Sequence, residues 1–118
     1  MSRIIIIISV FLAGAVSFAF SSCNKDSGSN CDASAARGPK FTAARSLITS
    51  RCGGSGCHLN GQSAGGHNFD ADCSIVDHCD DIQDVCCNSN SMPPGNPLSA
   101  VEKAVINDWM NAGGRITD

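Results

Sequence analysis

The chain has no tyrosine, one tryptophan and five phenylalanines among its 118 residues. An aromatic-lined groove for a small ligand is therefore not expected. Bases are also scarce: eight Lys and Arg stand against eleven Asp and Glu, for a net charge of −3. That balance argues against a nucleic-acid partner, which requires Lys and Arg gathered on one face. No internal repeat is visible, and one domain is the economical count. Long apolar runs are missing except for one, Ile4 to Phe20, and its 17 residues fall short of the about 20 that cross a bilayer.

That single run follows a basic start at Arg3 and suits a secretory signal. It ends in Phe20-Ser21-Ser22-Cys23. Small residues directly before a cysteine resemble the lipobox of bacterial lipoproteins. The resemblance implies that residues 1–22 are a signal peptide and that Cys23 carries lipid. The protein would then be exported and anchored to a bacterial membrane, on its periplasmic or outer-surface side. Residues 23–40 are rich in Ser, Gly, Asn, Asp and Ala and lack apolar periodicity, so a flexible tether is expected there. Residues 41–118 then form the folded domain, small enough to need a cofactor or crosslinks.

Eight cysteines in so short a chain point to an oxidising compartment or to metal chemistry. The most informative stretch is Cys52-Gly53-Gly54-Ser55-Gly56-Cys57-His58. Two thiols followed at once by an imidazole can hold a haem covalently: the thiols add to its vinyl groups and the His supplies an axial nitrogen. Four residues separate the thiols, where two are usual. Gly53, Gly54 and Gly56 make that loop supple enough to bring both sulfurs to the vinyls.

Met92 stands in Ser91-Met92-Pro93-Pro94-Gly95, where the prolines impose a stiff, extended backbone. A thioether held there can face the iron opposite His58; the plainer reading is a gap-filling core Met. His67 and His78 are alternative sixth ligands, though each reads first as a surface histidine. With Cys23 lipidated and Cys52 and Cys57 bonded to haem, two disulfides are expected among Cys73, Cys79, Cys86 and Cys87. Cys31 is then left free. Because Cys86 and Cys87 are neighbours, each is expected to pair with Cys73 or Cys79.

Thr42 to Ser50 reads as a helix with Phe41, Ala44, Leu47 and Ile48 on one face, ending at Gly53-Gly54. Asn60 to Asn68 reads as loop. Within Cys73 to Asn90, Ile75-Val76 and Ile82 to Val85 can form helical turns. Ser99-Ala100-Val101-Glu102 is a capping box, with Leu98 as staple. It should open a helix from Ala100 to about Ala112 that stops at Gly113-Gly114. Val101, Ala104, Val105, Trp109 and Ala112 are its expected buried stripe. Asp70, Asp72, Asp77, Asp80, Asp81 and Asp84 make an acidic stretch. It is either a docking surface for a basic redox partner or, more plainly, a solvated loop.

The order of these features resembles a small class I cytochrome c. The matching residues are Ile48-Thr49-Ser50-Arg51-Cys52 into Cys57-His58, then Met92-Pro93-Pro94, then Leu98 to Glu102 and Trp109 to Gly113. The likeness spans roughly residues 41–114 and implies an all-α domain whose terminal helices cross beside the haem. It further implies thioethers at Cys52 and Cys57, a proximal His58, a distal Met92, and an apolar pocket from Phe41, Leu47, Ile48, Leu98, Val105 and Trp109. Such a domain carries one haem c and exchanges electrons with redox partner proteins; it is not an enzyme. The cysteine-rich stretch 73–87 is not a general feature of that family. The competing readings are a haem-free, disulfide-stabilised lipoprotein serving as a binding or structural module, and a zinc domain drawing on Cys52, Cys57, His58, His67, Cys73, His78 and Cys79.

Overall fold

A computed structural model describes residues 31–118. The expected signal segment 1–22 and the expected lipid site Cys23 lie outside the described residues. Four α-helices follow in order: α1 Pro39–Cys52, α2 Asp72–Asp77, α3 Cys79–Gln83 and α4 Ala100–Asn111. A 3₁₀ turn, Ala64–Gly66, precedes α2, and a π-helical turn, Asp84–Asn88, continues α3. No strand occurs among the described residues, in agreement with an all-α class. No helix among them is long and apolar enough to cross a membrane.

The core is the seam between α1 and α4. Phe41, Ala44 and Ile48 recur at helical spacing on α1 and are buried, with Leu47 half-buried beside them. From α4 they meet Ile106, Trp109 and Met110. The Phe41 and Trp109 rings lie 5.7 Å apart at 55°, a tilted aromatic pair. The buried indole keeps its polar atom satisfied, because Trp109 Nε1–H donates to the Arg115 carbonyl at 2.8 Å. Ile116, Leu98, Leu59 and Ile75 close the ends of this core.

The capping box forms as the sequence implies. Glu102 N–H donates to Ser99 Oγ, and Ser99 N–H donates to the Glu102 carboxylate at 2.8 Å. The buried stripe of α4 differs from expectation. Val101 is 77% exposed and Ala104 is exposed, whereas Ile106 and Met110 are buried. At about 100° per residue, Ile106, Trp109 and Met110 share an arc that leaves Ala104 almost opposite. The larger side chains set the register.

α1 starts three residues earlier than the apolar pattern suggests, and a distant residue explains it. Its N-cap, Gly38, has no side chain to offer. Asp118 caps in its place: its carboxylate accepts from Lys40 N–H at 2.7 Å and Phe41 N–H at 2.9 Å. A Cβ at Gly38 would collide with that carboxylate, so the close approach requires glycine.

The described part of the expected tether, residues 31–40, is fastened to the domain. Cys31 is disulfide-bonded to Cys73, at a Cα–Cα separation of 5.5 Å. The Arg37 guanidinium grips buried Asp72 with two bonds, of 2.6 and 3.0 Å, and Arg45 of α1 adds a third contact at 2.8 Å. Cys31 is therefore not free, and Asp72 is not part of an exposed acidic surface. Cys86 and Cys87 are free thiols rather than partners of Cys73 or Cys79. The Cys31 link takes up Cys73.

Candidate functional site

The end of α1 builds the first wall of a cavity of about 320 Å³. Arg51 and Cys52 occupy the last turn of α1, and Gly53 ends it. A side chain at Gly53 would strike the Thr49 carbonyl and Leu59, so the chain can turn back at this point only with glycine. His58 N–H then donates to the Cys52 carbonyl at 3.2 Å, and Phe69 N–H to the His58 carbonyl at 2.7 Å. The long cysteine loop is thus a closed, hydrogen-bonded turn. It presents Cys52, Cys57 and His58 to one cavity.

His58 is held in a defined tautomer. Its Nδ1 lies 2.9 Å from the His67 carbonyl. A carbonyl only accepts, so Nδ1 carries the proton, and Nε2 keeps its lone pair free. A backbone carbonyl holding one ring nitrogen is the arrangement that orients an imidazole for a metal at the other. Phe69 packs against the ring at 4.9 Å between centroids.

The facing walls come from two further segments. Asp81, Ile82, Val85 and Cys86 project from α3 and its π-helical extension. Met92, Pro93 and Pro94 close the other side, with Met92 N–H anchored to the Val85 carbonyl at 3.0 Å. Arg51 ties this loop to α1: its Nη2 donates to the Asn96 carbonyl at 3.0 Å, and its Nε sits 3.1 Å from Glu102 Oε1. The four residues assigned to haem from the sequence, Cys52, Cys57, His58 and Met92, therefore share one cavity.

The expected apolar lining does not. Phe41, Leu47, Ile48, Leu98, Val105 and Trp109 belong to the helix core and none borders the cavity. The walls are Phe69, Ile82, Val85, Cys86 and the two prolines. The cysteine-rich stretch is thus a wall of the site as well as a place of crosslinks. The spacing of Ile82, Val85 and Cys86, three and four residues apart, was the signal that sequence reading passed over. His67 and His78 pack against each other rather than standing apart. Both are half-buried, their rings meet edge-on at 4.3 Å between centroids, and His67 lines the cavity.

Burial dominates the thiol chemistry. It pushes the Cys52 thiol up to about 11, with Cys57 adding and the Arg51 charge opposing. Cys86 is pushed up to about 12, first by burial and then by Cys52 and Cys87. Both are neutral thiols near neutral pH, inert until a partner removes the proton. A carboxylate outside the cavity lining shifts the other way. Asp70 is held below the usual range by Asn68 and by the amides of Gly61 and Asn60. Those bonds clamp the loop between His58 and Phe69.

A tetrahedral zinc site through the cysteines finds no preformed geometry here. Among the described residues, the metal-binding atoms that converge belong to His67, His78 and Asp81 and include no sulfur. The cavity instead gathers, in an apolar chamber, the thiols of Cys52 and Cys57, the oriented imidazole of His58 and the thioether of Met92. Comparison of the chain with protein-family models, curated proteins and solved structures finds no match.

Proposed function

We propose that this protein is a lipid-anchored electron carrier holding one covalent haem c, a cytochrome c-like domain rather than an enzyme. The observation that carries the reading is the meeting of Cys52, Cys57, His58 and Met92 at one apolar cavity, with His58 Nε2 left free by the Nδ1–H bond to His67. In this reading Cys52 and Cys57 form the thioethers, and His58 and Met92 are the axial ligands. The haem supplies a one-electron iron couple.

The chain's own residues set access and potential. The His67 carbonyl fixes the orientation of the imidazole. Phe69, Ile82 and Val85 set apolar surface beside the proposed ligand side chains. Arg51, bonded to the Asn96 carbonyl, holds the Met92 loop against α1. Two protein ligands leave no open position for a substrate, which favours electron exchange with redox partner proteins over chemistry at the metal. The lipid on Cys23 would keep the domain at a membrane.

An absorbance spectrum of protein matured in a host that attaches haem c tests this. A Soret band with sharp α and β bands on reduction is expected. A colourless protein would support the haem-free binding module instead.

A further inference from the structure

Outside the haem ligand set, one cluster has the chemistry of a second metal site. His67, His78 and Asp81 each bring a ligand atom within 4.8 Å of the others. His67 comes from the turn after the 3₁₀ segment, His78 from the junction of α2 and α3, and Asp81 from the first turn of α3. Three separate backbone positions thus converge on one point.

Two further observations point to a ligand. His67 Nδ1 is fully enclosed and has no hydrogen-bond partner, a cost normally avoided for a buried polar atom. His78 Nδ1 faces Asp81 Oδ2 at 3.5 Å, too long for a good hydrogen bond, and the Asp81 side chain is free to adjust at 65% exposure. Asp77, Asp80 and Asp84 stand exposed on the same segment, so the local field draws cations.

We propose that His67, His78 and Asp81 bind a divalent transition metal of the zinc class. Two imidazoles and one carboxylate supply three donors, and water completes the shell, as in open zinc sites. Imidazole donors select zinc, copper or nickel over calcium and magnesium, which take oxygen ligands. The site does not depend on haem. It does share the wall of the proposed haem chamber: His67 and Asp81 both line it, and the His67 carbonyl holds His58.

The test is calorimetric titration of the full chain with zinc chloride after accessible thiols are alkylated, run on protein with and without haem. One zinc per chain is expected in both, with no comparable heat from magnesium. His78→Ala and Asp81→Asn should each weaken zinc binding about 10-fold or more, since even outer-shell losses reach that size. Both positions are at least partly exposed, so the variants should fold, and circular dichroism checks this. No zinc uptake by the wild type, or unchanged affinity in both variants, overturns the proposal. Zinc uptake by protein that stays colourless after maturation in a haem c-attaching host would leave it standing while removing the haem assignment.

Discussion

The two halves of this domain are built on opposite rules. The α1/α4 seam is closed: Phe41, Ile106, Trp109 and Met110 are at most 1% exposed and the one polar atom among their side chains, the indole nitrogen, is bonded. The other half, from Cys52 through Met92, encloses a chamber walled by thiols, histidines and a thioether. The first half holds the fold; the second half holds chemistry. A small domain can keep such a chamber only if the remaining core and the crosslinks carry its stability.

Substitutions in the two halves should therefore separate stability from spectrum. Trp109→Ala should have the largest effect on stability, about 3–5 kcal/mol by denaturant titration, because it empties the centre of the seam. Any haem spectrum of the molecules still folded should be unchanged. Replacing Cys31 and Cys73 together by Ser should cost about 2–4 kcal/mol in the same assay, by releasing a 42-residue closure.

Met92→Ala should reverse the pattern. Its side chain is half-buried, so the loss should stay below about 2 kcal/mol. The midpoint potential should fall and any weak sulfur-to-iron band in the red should vanish. An unchanged spectrum would move the sixth ligand to His67 or His78. Asp118→Ala removes only the remote cap of α1 and should cost about 1 kcal/mol without touching the spectrum.

The smallest effect is in pH. Asp70 and Glu102 are both held below the usual carboxylate range, Asp70 by Asn68, Gly61 and Asn60, and Glu102 by Ser99. A folded-state pKa below the unfolded one gives stability that is full above the unfolded value and lost as pH falls through the folded one. Urea midpoints should hold near neutrality and drop below about pH 4. Asp70→Asn should flatten that drop.

The same contrast explains what the sequence revealed. Helices α1 and α4 were legible because apolar periodicity and a capping box are local signals. The α4 register was misjudged at Val101 and Ala104, where small apolar residues carry little weight against Ile106 and Met110. The start of α1 could not be read locally, since its cap lies 78 residues away at Asp118. The four residues proposed to hold haem were visible as motifs, but the walls were not. Ile82, Val85 and Cys86 sit in a short helical piece whose cysteines looked like crosslinks. The pairing of His67 with His78 is purely tertiary.

Mass spectrometry of the peptide spanning Arg51 to Asn60, from protein matured by a haem c-attaching host, tests the central claim most directly. The account predicts one haem joined through two thioethers, with Cys52 and Cys57 no longer alkylatable. A peptide of unmodified mass with both thiols free would contradict it.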